Sequence, residues 1–172
     1  MVTSTRLSLK DFLAMPAIEE RRLELIDGEV FEKPTPTWGH GTIALAIGAL
    51  LNNVGFAAVE PRAIIATAGN LGPSAPLPDV AFYRDNPPRP EERMTRPPHV
   101  AVEILSPGQS RTEMRTKVEL YLRFGVESVW VVDAERRTVD VYEGGERRTL
   151  TLGDTLTSAS APGFELALAK LF

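Results

Sequence analysis

The chain of 172 residues contains no cysteine. Disulfides are therefore excluded, and with them cysteine-ligated zinc and iron–sulfur sites. Only two histidines are present, His40 and His99, so a multi-histidine metal site within one chain is excluded too. No apolar run approaches the roughly 20 residues that a membrane span needs. The opening residues, MVTSTRLSLKDF, have no apolar stretch of signal-peptide type. No Gly-rich phosphate loop stands at a strand–helix junction, which argues against mononucleotide and dinucleotide folds. Internal repeats and interdomain linkers are also missing. These absences leave one domain over residues 1–172, long enough for one core, without membrane contact and with the cytoplasm as its expected location.

Apolar residues make up 43% of the chain and charged residues 24%, the balance of an ordinary globular protein. The net charge of −4 argues against a general nucleic-acid coat. Its distribution says more: residues 1–33 sum to −2, 34–83 to −1, 84–117 to +2 and 118–172 to −3. The basic stretch carries Arg84, Arg89, Arg93, Arg96, Arg111, Arg115 and Lys117. It is read either as a surface for a phosphate backbone or as a solvated loop with ordinary arginines.

Several elements are legible. SLKDFLAM reads as a short helix capped by Ser8, with Asp11 completing a weak box. RLELIDGEVFEKP reads as a hairpin turning at Asp27-Gly28. HGTIALAIGALLNNVG has helical apolar spacing and so little charge that much of its surface should be buried, with Gly55 as its stop. FAAVEPRAIIATA reads as a strand region interrupted by Pro61, GNLGPSAPLP as a Gly- and Pro-rich loop, and LPDVAFY and HVAVEIL as strands, the last apolar on both faces and hence central. The polar, Pro-rich RDNPPRPEERMTRPP is too poor in apolar residues to join the core and reads as a mobile connection. Ser110 and Glu113 form a capping box for a helix to about Phe124, which Gly125 ends. ESVWVVD is a buried strand, TVDVYEGGERRTLTL a hairpin, and the tail packs back through Phe164, Leu166, Leu168 and Phe172. Consecutive strands without intervening helices imply a mixed sheet and an α+β class.

Three charges break the apolar pattern. Glu103 lies inside VAVEIL, where an unpaired carboxylate would cost several kcal/mol, so it needs a metal, a basic group or a shared proton. The competing reading is a structural salt bridge. Asp79 heads VAFY, as a turn aspartate or as a second acid; two carboxylates on neighbouring strands suit an oxygen-preferring cation such as Mg²⁺. Lys117 falls on the helix face shared by Met114, Tyr121 and Phe124, where it either snorkels or returns over the end of the Glu103 strand. Two acids holding Mg²⁺ with a lysine beside them can hydrolyse a phosphodiester.

At these residues the chain resembles the PD-(D/E)XK nuclease superfamily, the restriction-endonuclease-like fold. Pro78-Asp79 resembles the first half of its motif and Glu103 its second acid. Leu105 stands where the motif lysine usually does, and Lys117 resembles a lysine migrated to the following helix. The chain is more closely similar to the Uma-two family of restriction endonucleases, through LELIDGEV, His40, PDVAFY, VEILSP, the Lys117–Asp133 run and VYEGG. The resemblance implies a restriction-endonuclease-like α+β fold, a mixed central sheet flanked by helices. Its core is helix, three-strand meander, helix and strand, with N- and C-terminal hairpins. It implies Asp79 and Glu103 as metal ligands, the Ile104 backbone carbonyl as a third oxygen, and Lys117 as the catalytic lysine. It further implies DNA cleavage with Mg²⁺, for which Mn²⁺ can substitute. Glu24 is a possible additional acid or a hairpin-surface residue. His40 caps or flanks its helix, with the structural reading preferred to the catalytic one. His99 reads as a loop residue, and Tyr121 and Trp130 as core. Arg111 and Arg115 are candidates for DNA phosphates. A homodimer is expected because duplex cleavage often uses two sites. The alternative is a noncatalytic nucleic-acid- or protein-binding module on the same fold.

Overall fold

The computed structural model describes residues 6–66, 72–107, 109 and 111–172, with only the backbone of Arg111. Its elements in chain order are α1 (Leu9–Leu13), β1 (Leu23–Ile26), β2 (Glu29–Glu32), α2 (Trp38–Leu51), β3 (Phe56–Val59), β4 (Val80–Tyr83), β5 (Val100–Ile104) and α3 (Arg111–Phe124). There follow β6 (Ser128–Asp133), β7 (Thr138–Glu143), β8 (Glu146–Leu150), β9 (Thr155–Leu156) and β10 (Leu166–Ala167). VAVEI has no polar face, and as β5 it is buried at every position, in the middle of a six-stranded sheet ordered β3-β4-β5-β6-β7-β8. β3, β4 and β5 form an antiparallel meander. α3 then crosses over, so that β6 pairs parallel with β5. β7 and β8 extend the sheet antiparallel. The expected α+β mixed sheet is thus the observed one, and none of the helices among the described residues is long and apolar enough to cross a membrane.

Strand alternation sorts the core onto two faces. Val80, Phe82, Val102, Ile104, Trp130 and Val132 join Ile43, Ile47 and Leu51 of α2 on one face. The returning tail closes that face with Phe164, Leu166 and Leu168, as expected. On the other face, Ala101, Val129 and Val131 pack against Met114, Val118 and Tyr121 of α3. Glu103 is in phase with Ala101 and therefore points toward α3.

Local chemistry explains most boundaries. Ser8 caps α1 by accepting the Asp11 amide at 3.1 Å. Asp27 and Gly28 form a two-residue turn with both φ positive, at 52° and 79°, the geometry that favours an Asp-Gly hairpin. Gly125 follows α3, and its amide bonds back to Tyr121 O at 3.2 Å. Ser110, expected to cap α3, lies outside the described residues.

Three sequence expectations need correction. α2 ends at Leu51, so Gly55 is not its stop. A Cβ at Gly55 would come within 2.5 Å of the Phe82 ring and 2.6 Å of the Tyr83 carbonyl; the glycine lets the chain lie against β4. α2 is also less buried than its composition implies, because Trp38 is 89% exposed and Leu45 68%. The Pro-rich connection is pinned to the body. Met94 is buried, and its amide and carbonyl bond Arg62 O at 3.0 Å and the Ile64 amide at 2.7 Å.

Candidate active site

β4 and β5 pair with Val80 opposite Val102. One step further in the same register sets Asp79 opposite Glu103, and the Asp79 amide continues the ladder to Val102 O at 2.9 Å. Both carboxylates are almost completely buried. Each is held through one of its oxygens. The Ile104 amide donates to Asp79 Oδ2 at 2.6 Å. Glu103 Oε1 accepts from the Tyr121 hydroxyl at 2.6 Å and lies 2.6 Å from Lys117 Nζ. Lys117 and Tyr121 are four residues apart on α3, so one helix face delivers both donors.

The remaining oxygens point at a common cation. Lys33 Nζ lies 2.7 Å from Asp79 Oδ1 and 3.7 Å from Glu103 Oε2, and it donates to Leu77 O at 2.7 Å. Lys33 follows β2, and its amide bonds Arg22 O at 3.2 Å, continuing the hairpin. Glu24 pairs with Phe31 across that hairpin, so alternation sets Glu24, Phe31 and Lys33 on one side. Glu24 is likewise buried and takes Lys117 Nζ at 2.9 Å and the Leu77 amide at 2.6 Å. The hairpin therefore contributes one acid and one base. A cavity of about 310 Å³ lies alongside, lined among others by Glu24, Phe31, Lys33, Gln109 and Lys117.

His40 approaches Asp79 from α2. Thr37 caps that helix by accepting the His40 amide at 3.2 Å, and His40 Nε2 sits 3.1 Å from Asp79 Oδ1. Its Nδ1 is buried without a hydrogen-bond partner among the described residues. Glu60 joins them. Among the described residues, His40, Glu60 and Asp79 form a set whose potential ligand atoms all lie within 4.8 Å of one another. Glu60 is also paired with Arg22. A second cavity of about 310 Å³ opens here, lined among others by Pro36, His40, Leu45, Val59 and Asp79.

Electrostatics follow from this packing. Burial alone would raise the Asp79 carboxyl, but the His40 contact and the charges of Lys33, His40 and Lys117 hold it well below the usual carboxylate range. Burial raises Glu103 above its ordinary value, with the Lys117 and Lys33 charges opposing and Asp79 and Glu24 reinforcing. Burial would lower Lys117, but the charges of Glu103, Glu24 and Asp79 outweigh it and keep the ammonium protonated far above neutrality. Burial and the adjoining Glu103 charge push the Tyr121 hydroxyl well up, so it stays a donor.

The structure brings together Asp79, Glu103, Lys117, Glu24 and His40. The Ile104 amide, rather than its carbonyl, makes the contact to Asp79. Arg115 is exposed and borders a different groove, with Val118, Glu119 and Leu122, so it is not at this site. The Arg111 side chain lies outside the described residues. His99 leads into β5, where Nδ1 accepts the Arg84 amide at 3.1 Å. Sequence reasoning missed Lys33, the polar role of Tyr121, and Glu60. The period-two pattern of the hairpin, with Lys33 in phase with Glu24, was the available signal for the first. The Lys117–Tyr121 spacing was the signal for the second.

Comparison with known proteins was made on sequence and on structure. No curated protein matches the chain. The fold matches a crystal structure from Anabaena variabilis ATCC 29413, titled as that of a "putative nuclease belonging to DUF820", with a TM-score of 0.83 and 25% sequence identity. The match covers 96% of this chain and 97% of that one. A family model described as "Putative restriction endonuclease" matches residues 9–169. With nearly all of its length covered, this chain belongs to the Uma2 family.

Proposed function

We propose that the chain, acting as one domain, is a metal-dependent endonuclease that hydrolyses phosphodiester bonds of DNA, with Mg²⁺ as its ion and Mn²⁺ able to substitute. One observation carries the reading. Asp79 Oδ1 and Glu103 Oε2 are the oxygens not used by the Ile104 amide or by Tyr121 and Lys117, and both face one cation position, occupied by the Lys33 ammonium. A site that holds an ammonium between two hard carboxylate oxygens has the donor set that suits a divalent cation. Asp79 and Glu103 would hold the ion, with the Ile104 carbonyl as a third oxygen and His40 beside Asp79. A divalent ion there neutralises phosphate charge and makes a bound water more acidic.

The chain's own residues do the rest. Tyr121 and the Ile104 amide fix the two carboxylates, so their orientation does not depend on the substrate. Lys117 is held protonated by Glu24 and Glu103 and lines the cavity. From there it can donate to a phosphate oxygen as charge develops or orient the attacking water. The family description and the structural relative support nuclease chemistry. A homodimer cutting both strands, a cytoplasmic location and phosphate contacts by Arg111 and Arg115 belong to the same proposal. The noncatalytic alternative draws support from Lys33, because an internally neutralised site is stable without metal.

The test is nicking of supercoiled plasmid by purified protein with Mg²⁺, with Mn²⁺ and with chelator, alongside Asp79→Asn and Glu103→Gln. Cleavage that needs the metal and both carboxylates supports the reading. Metal-bound protein that binds DNA but never nicks it supports the noncatalytic module instead.

A further inference from the structure

Lys33 contributes no donor that either carboxylate needs for its orientation, because the Ile104 amide holds Asp79 and Tyr121 with Lys117 holds Glu103. Its ammonium is applied to the outward oxygens, at 2.7 and 3.7 Å. Those are the atoms a divalent ion would take. The two cations compete for one position: a divalent ion bridging both outward oxygens would stand where the Lys33 ammonium stands, and the like charges repel. Lys33 has somewhere else to go. It follows a strand exposed at all four positions and lines the 310 Å³ cavity that also borders Glu24 and Glu32. A few rotations of its four-carbon stem would carry the ammonium out of the carboxylate pair without moving the sheet.

We propose that Lys33 is a built-in counter-cation that competes with the divalent metal, so that metal entry requires its ammonium to withdraw into the adjoining cavity. This rests on the reading of Asp79 and Glu103 as metal ligands. In the metal-free protein Lys33 offsets the charge of the two acids and keeps them folded together. When the ion binds, the displaced ammonium lands beside Lys117, adding positive charge where a phosphate would lie.

The experiment is titration calorimetry with Mn²⁺ on wild type, Lys33→Met, Lys33→Gln and Asp79→Asn/Glu103→Gln. Amine labelling of Lys33, read by mass spectrometry with and without Mn²⁺, accompanies it. Removing the competitor should tighten Mn²⁺ binding at least tenfold. In wild type, Mn²⁺ should raise Lys33 labelling severalfold, a readout that does not depend on any variant folding. Wild type that binds Mn²⁺ through Asp79 and Glu103 with unchanged Lys33 labelling, or Lys33 variants that bind no tighter, would overturn the competition and leave the metal reading standing. Failure of both wild type and folded Lys33 variants to bind Mn²⁺ would overturn both.

Discussion

Replacing Lys117 with methionine removes the charge that two buried carboxylates share while keeping most of the stem's volume. In the native structure the ammonium lies 2.9 Å from Glu24 and 2.6 Å from Glu103, with all three side chains at least nine-tenths buried. Packing loss is small, under about 1.5 kcal/mol for a volume-conserving change. The electrostatic loss is larger, because breaking a buried pair from one side costs about 3–5 kcal/mol. For a domain of this size, with roughly 2–4 °C per kcal/mol, the melting temperature should fall on the order of 10 °C at pH 7. The sign with pH follows from the pKa directions. Lys117 is raised in the folded state, so its contribution is fully present below the unfolded lysine value and is lost only in strong alkali. In the variant, Glu103, already raised by burial, loses an opposing charge and favours protonation, so the gap from wild type should narrow as pH falls from 7 toward 5. Urea melts followed by circular dichroism at both pH values measure this. Adding Glu24→Gln to Lys117→Met should recover part of the loss, since one of the stranded charges is gone. A Lys117→Met protein as stable as wild type at pH 7 would refute the reasoning and return Lys117 to a solvated role.

Tyr121→Phe deletes the hydroxyl that donates to Glu103 and should cost about 1.5–3 kcal/mol, the range for hydrogen bonds to charged groups; denaturant midpoints read it, and an unchanged midpoint would count against that bond. Asp79 is held below its unfolded value, so its stabilisation is present above the unfolded carboxyl range and is lost as pH falls through and below it. Asp79→Asn should therefore flatten the acid limb of the stability curve between about pH 4 and pH 2, and an acid limb identical to wild type would contradict the assignment. Gly55→Ala forces a methyl against the Phe82 ring and the Tyr83 carbonyl and should destabilise by about 1–3 kcal/mol; thermal melts decide, and a neutral result would mean that the segment can shift away from β4.

Periodicity and punctuation in the sequence determined the local elements. Val, Ile and Ala runs bounded by Pro and Gly marked β4, β5 and β6, and the Asp27-Gly28 and Gly144-Gly145 pairs placed both hairpins where they are found. Burial constraint also exposed Glu103, because a carboxylate in an all-apolar strand is costly enough to demand a partner; the same patterning singled out Asp79 and Lys117, and the motif likeness only supplied the roles expected of them. What the sequence could not carry was the pairing between distant segments. Lys33 reads as one more polar residue after a hairpin, and only the docking of that hairpin puts its ammonium 2.7 Å from Asp79, across a separation of 46 residues. Tyr121 reads as core because its ring is core; its hydroxyl acquires a role from the register that turns Glu103 toward α3. His40 belongs to an apolar helix whose exposed face faces away from the sheet, and the crossing of α2 over β4 decided that its ring would meet Asp79. Local sequence encodes propensity and phase, whereas charge neutralisation in a buried site is a property of which elements pack together.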